Sequence, residues 1–126
     1  LLGIFTCLCA LIMVSCSSNT PTGKAKAHLD AWIDGNYAEI VEQFHYKTEK
    51  TAEDKAKLAQ ILEEKFKKTI DKKGGMESYE IVSETISEDG TTAKVECLVK
   101  YGGGEVEKTT VNLVNIDGNW LVESGK

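Results

Sequence analysis

Residues 77–123, ESYEIVSETISEDGTTAKVECLVKYGGGEVEKTTVNLVNIDGNWLVE, decide the fold. Apolar and polar residues alternate at period two through most of the stretch, the spacing of strands with one buried face. Asp89-Gly90 and Asp117-Gly118 are two-residue hairpin signals, because central residues at positive φ match the twist of the flanking strands. Gly102-Gly103-Gly104 reads as a looser turn. The spacing predicts strands over 77–87, 91–101, 105–116 and 119–123, joined as an antiparallel meander. The inward positions are then Ala93, Val95, Cys97 and Val99 on the second strand, Val111 and Leu113 on the third, and Trp120 and Val122 on the fourth.

Upstream of this stretch the period changes. Ala25, His28, Leu29 and Trp32 fall at helical spacing, with Pro21 and Thr22 suited to the start and Gly35-Asn36 to the end, so residues 22–34 read as a first helix. Tyr37, Ile40, Val41 and Phe44 repeat the i, i+3, i+4, i+7 pattern of a short second helix. Thr51 with Asp54 resembles a capping box. It opens a third helix whose apolar stripe is Leu58, Ile61, Leu62, Phe66, Thr69 and Ile70, and which Gly74-Gly75 ends. Seven lysines and five acids between Glu53 and Lys73 make the solvated face of that helix. Helices first and a meander after them specify an α+β domain, the helices packed on one face of a curved four-stranded antiparallel sheet.

Residues 1–15, LLGIFTCLCALIMVS, are apolar but too short for the ~20 residues that a bilayer span needs, and they run into the polar Ser17-Ser18-Asn19-Thr20-Pro21. They read as an export signal. Met13-Val14-Ser15-Cys16 resembles the bacterial lipobox, which makes Cys16 the lipidated residue and the membrane a partner through that lipid. The expected organisation is a signal peptide at 1–15, a lipidated tether at 16–21 and one domain at 22–126. Ser17, in place of the aspartate that retains some lipoproteins, points to the periplasmic face of the outer membrane. Cys7 and Cys9 leave with the signal, so Cys97 stays as a buried hydrophobe with no disulfide partner. The formal charge of −5 and the absence of arginine argue against a nucleic-acid partner.

The order Ala25-Lys26-Ala27-His28-Leu29-Asp30-Ala31-Trp32, Gly35-Asn36-Tyr37, the Gly-Gly joint, the Asp-Gly hairpin and Asp117-Gly118-Asn119-Trp120-Leu121-Val122 resembles a known family. It is similar to the small exported bacterial lipoproteins catalogued as domain of unknown function 4878. The resemblance covers residues 22–123 and implies a fold like that of nuclear transport factor 2, also called cystatin-like: helices forming a cone with a curved antiparallel sheet. It supplies no catalytic residues.

Such cones often hold a pocket, and enzymes built on them place acids and oxyanion donors on inward strand positions. The inward sets above contain no carboxylate or histidine, and Glu84, Glu96 and Glu123 fall in the opposite phase. His28 and His45 lack the spacing of a metal pair, so no metal or cofactor is expected. His28, Trp32, Tyr37 and Tyr101 are the candidate pocket residues, with Tyr79 and Trp120 as further aromatic candidates; the plainer role for each is membership of the core. Val82, Leu98, Val114 and Leu121 are the candidate interface on the other face of the sheet, for a homodimer or an envelope protein. The expected function is a non-catalytic, lipid-anchored module that binds a small ligand or a protein. A small pocket enzyme of isomerase or dehydratase type and a structural assembly subunit are the alternatives.

Overall fold

A computed structural model describes residues 19–123; Cys16 and the signal segment lie outside the described residues. Helix α1, Pro21–Asp34, begins where the Thr20 hydroxyl accepts from the Gly23 N–H at 3.0 Å, with Pro21 in the first turn, where its missing N–H costs nothing. Gly35 ends it at φ 70°, donating to the carbonyls of Ala31 and Trp32. Helix α2, Tyr37–Gln43, is capped by Asn36. Helix α3, Ala52–Lys72, opens on the complete Thr51–Asp54 capping box.

The sheet differs from a four-stranded meander by one strand. Its order is β1-β5-β4-β3-β2, with β1 at Phe44–His45, β2 at Met76–Ile86, β3 at Thr92–Tyr101, β4 at Val106–Ile116 and β5 at Asn119–Glu123. Strands β2 to β5 are the antiparallel meander, and β1 pairs parallel to β5 through Phe44 with Val122 and His45 with Glu123, so the sheet is mixed. Phe44 is in phase with the helical stripe of α2, yet its backbone is extended. Pairing to the otherwise open edge of β5 outweighs one more residue of a short helix. Asp117 and Gly118 both take positive φ, 52° and 89°, as the predicted hairpin requires.

A second correction concerns β2. Ile81 pairs with Cys97 and Ser83 with Glu96, so Val82 is an extra residue in a bulge. The bulge returns Glu84, opposite Val95, to the helix-facing side, where its carboxylate accepts from the Thr22 N–H at 3.0 Å and hydroxyl at 2.8 Å. A negative charge at the first turn of α1 complements the helix dipole.

The core forms where α1 lies on the sheet: Ala25 and Leu29 pack with Val95, Cys97, Val99, Leu113, Trp120 and Val122. The predicted inward sets are buried. A smaller cluster of Ala31, Tyr37 and Ile40 joins the helices, with Ala59 and Leu62 of α3 packed against it. No side chain of α3 is fully buried, and Ile61, expected in its apolar stripe, is 55% exposed. Helix α3 therefore stands over the sheet without filling the space beneath it.

The glycine turns fix where α3 ends. Gly102 N–H donates to the Gly75 carbonyl at 2.8 Å and Gly103 N–H to the Lys73 carbonyl at 2.9 Å. A Cβ on Gly74 would overlap the Gly103 nitrogen, and one on Gly102 would overlap the Gly74 carbonyl oxygen. The run expected to be a loose turn is thus a backbone-to-backbone joint that seats Lys73 over β3 and β4.

Candidate functional site

Between α3 and the helix-facing side of the sheet lies a cavity of about 440 Å³. Its walls are largely apolar: Leu29 and Trp32 from α1, Phe66 and Ile70 from α3, and Val99 and Val111 from the sheet. The helix-facing side of the sheet makes the floor. Val99 pairs with Glu107, Cys97 with Thr109 and Val95 with Val111, so Glu107 and Thr109 share the inward face. Of the candidate pocket residues, His28, Trp32 and Tyr101 line this cavity. Tyr37 stands outside the lining, its ring edge-on to Trp32 with centroids 5.7 Å apart.

One end of the cavity is polar. Lys73 Nζ donates to Glu107 Oε2 at 2.9 Å, lies 3.7 Å from Glu105 Oε2, and sits 4.8 Å from the centroid of the Tyr101 ring. The Tyr101 hydroxyl donates to Glu107 Oε1 at 3.3 Å. The hydrogen bond from Lys73 holds the Glu107 carboxyl below its ordinary range, and the same bond raises the Lys73 ammonium. Burial, reinforced by the Glu107 charge, raises the Tyr101 phenol. Glu107 corrects the expectation that the inward positions hold no carboxylate: it is in phase with Val111 and Leu113, and the inward set read for this strand began only at Val111. Lys73 carries no sequence signal, because the glycine joint, and no periodicity, aims it.

His28 is 7% exposed, and both its nitrogens are engaged. Trp32 Nε1–H donates to Nε2 at 3.1 Å; an indole is only a donor, so Nε2 is the acceptor and Nδ1 carries the proton given to Gln43 Oε1 at 2.8 Å. Burial lowers the imidazole below 6.5, partly offset by the Gln43 bond. A second ring proton would also point at the Trp32 donor. His28 is therefore a neutral bracket between α1 and α2. Its neutral form is favoured in the fold, so its contribution to stability is complete above the unfolded value near 6.5 and is lost as pH falls through the lower folded value. Denaturant unfolding from pH 7.5 down to pH 5.5 is expected to show a larger loss of stability for the wild type than for His28→Gln, which has no proton to take up. Parallel curves would remove this role.

The interface candidates are dispersed by the register. Val114 and Leu121 are direct cross-strand partners. Leu98 pairs with Lys108, six residues along β4 from Val114, about 20 Å at 3.3–3.4 Å per residue. The Lys94–Asn112 and Glu96–Thr110 pairs lie between them, and Val82 sits in the bulge, 51% exposed. Among the described residues there is no His, Cys, Asp and Glu group fit to hold a metal, and no helix long and apolar enough to cross a membrane.

The sequence model of one family, described as "Domain of unknown function (DUF4878)", matches residues 14–123. None of the curated proteins matches the chain. Among solved structures, the chain is similar to a Campylobacter jejuni protein given the provisional name NTF2-like transpeptidase, at 20% identity and a TM-score of 0.64, over 82% of this chain and 97% of that one. It is also similar to a SEC-C motif containing protein from Rhodopseudomonas palustris, at 15% identity and a TM-score of 0.56, over 92% and 84% of the two chains. At these identities the likeness is one of fold.

Proposed function

The chain belongs to the DUF4878 family, and on that footing we propose that it is a non-catalytic module that binds a small, largely apolar ligand beneath α3. The observation that carries this reading is the cavity itself. Its volume of about 440 Å³ falls within the range of small-molecule sites, roughly 300–1,000 Å³, and its apolar walls meet a few polar groups at one end. The state of those polar groups supports binding over catalysis. A general base needs a free lone pair and a pKa near the working pH. Glu107 is held by Lys73 and Tyr101 with its pKa lowered, and His28 has both nitrogens occupied. Neither is poised to move a proton.

Trp32 lines the cavity and supplies the readout. Titration of the chain with phenylbutanol, a neutral probe, is expected to change the tryptophan fluorescence saturably. Thr109→Phe, which fills the cavity from the sheet side, is expected to weaken that binding about tenfold or more, equivalent to ~1.4 kcal/mol. No saturable change in the wild type, or an affinity indifferent to Thr109→Phe, would remove the cavity as the site.

The same proposal places the module at the cell envelope, on the periplasmic face of the outer membrane, held by lipid on Cys16. Residues 13–16 support it by their likeness to a lipobox, and several acyl chains would give a firm tether where one holds only marginally. Replacing Cys16 with Ser is expected to move the protein from the membrane to the soluble fraction on centrifugation. A Cys16→Ser variant that stayed in the membrane fraction would contradict the anchor.

A further inference from the structure

We propose that the cavity takes a neutral ligand whose hydrogen-bonding head, an alcohol or a carbonyl, is seated on the Thr109 hydroxyl; this rests on the cavity being a binding site. The other polar groups that border the cavity are engaged or turned away from it. His28 has its two nitrogens occupied by Trp32 and Gln43. Lys73 is held by Glu107 at 2.9 Å and Glu105 at 3.7 Å, and the two Glu107 oxygens accept from Lys73 and from the Tyr101 hydroxyl. Thr110 and Asn112 alternate to the outer face of the sheet, opposite Glu96 and Lys94, and Glu123 alternates with inward-facing Val122. Thr69 is exposed on α3.

Thr109 remains. It stands on the inward phase of β4 between Glu107 and Val111, and its cross-strand partner is the fully buried Cys97. The residue is half-buried, and among the described residues its hydroxyl forms no hydrogen bond. Every fully enclosed side-chain nitrogen or oxygen of the described residues does have a partner. The Thr109 hydroxyl is therefore open to the cavity that the residue lines. A hydroxyl offers one donor and two acceptor lone pairs, so it serves an alcohol and a carbonyl alike. Val111 lies two residues farther along the same face, about 7 Å, so one small ligand can set its head on Thr109 and its apolar body on Val111, Val99 and Ile70. A charged head finds no free counter-charge. A carboxylate would have to take Lys73 from Glu107, and an ammonium would have to take Glu107 from Lys73, and either exchange strands one member of the pair.

Tryptophan fluorescence titration of the full chain at neutral pH tests this with four probes that share one body: butylbenzene, phenylbutanol, phenylbutyrate and phenylbutylamine. Thr109→Val keeps the shape of the side chain and removes its hydroxyl. It is expected to lower the ratio of phenylbutanol to butylbenzene affinity about fivefold, whereas Thr109→Ser, which retains the hydroxyl, is expected to preserve that ratio. Phenylbutyrate and phenylbutylamine are each expected to bind the wild type about tenfold more weakly than phenylbutanol. A ratio unmoved by Thr109→Val, or lowered as much by Thr109→Ser, overturns the Thr109 seat and leaves the cavity reading standing. A charged probe that binds the wild type as tightly as phenylbutanol, or more so, overturns the neutral class. Failure of all four probes to bind removes the cavity reading and this inference together.

Discussion

Trp120→Ala is expected to lower the stability of the domain by about 3–5 kcal/mol, the cost of emptying a buried tryptophan site. Trp120 is 7% exposed and sits in the main core with Leu113 and Val122, where β5 returns from the Asp117-Gly118 hairpin. Its backbone N–H also donates to Asn19 Oδ1 at 3.1 Å, and Asn19 Nδ2 donates to the Gly118 carbonyl at 2.8 Å. The hairpin is thus tied to the chain entering α1, and a hole at Trp120 loosens both. Against a total of about 5–15 kcal/mol the loss is large. Thermal melting should show a fall of more than ~10 °C. Val106→Ala, at a position 56% exposed, is the control, expected within about 0.5 kcal/mol of the wild type. A Trp120→Ala protein that melts with the wild type would mean that the closing hairpin does not pack on α1.

Gly74→Ala is expected to cost about 3 kcal/mol or more, well above Gly75→Ala. Both residues have positive φ, 92° and 84°, so both variants carry the strain of a left-handed non-glycine residue, about 1–2 kcal/mol. Only at Gly74 does the new Cβ also overlap a neighbouring backbone, that of Gly103; at Gly75 it meets open space. The overlap adds roughly 1–3 kcal/mol, or it forces the β3–β4 turn away from α3. The difference between the two variants in denaturant unfolding measures the joint itself. Equal losses would show that the two glycine runs do not bear on each other.

How far the fold could be read from the sequence follows from which signals are local. The Asp89-Gly90 turn is encoded within the five residues from Ser87 to Thr91: Asp89 Oδ1 accepts from the Ser87 hydroxyl at 2.6 Å and the Thr91 hydroxyl at 2.7 Å, bonds that hold its carboxyl down to about 2. Alternation along 93–99 and at 111, 113, 120 and 122 named the buried face because each strand keeps one phase. The α3 capping box is equally local. What escaped depends on tertiary pairing. Two residues of β1 are too few for any periodicity, and Phe44 satisfies a helical pattern as well as a strand. The Val82 bulge inverts the phase of everything after it in β2, so Glu84, in the outward phase by simple alternation, reaches Thr22. The site was legible only in part. His28, Trp32 and Tyr101 were visible as aromatic or polar residues at core spacing, whereas Lys73 and Glu107 meet through the docking of two glycine turns 27 residues or more apart.

The binding account is tested most directly by methyl NMR of the chain, labelled at isoleucine, leucine and valine, during titration with phenylbutanol. The account predicts saturable shifts at Leu29, Ile70, Val99, Val111 and Val122, which line the cavity, with Val82, Leu98, Val114 and Leu121 unmoved. Shifts confined to that second set would place binding on the outer face of the sheet, and an unchanged spectrum would show that the space beneath α3 binds nothing of this kind; either result contradicts it.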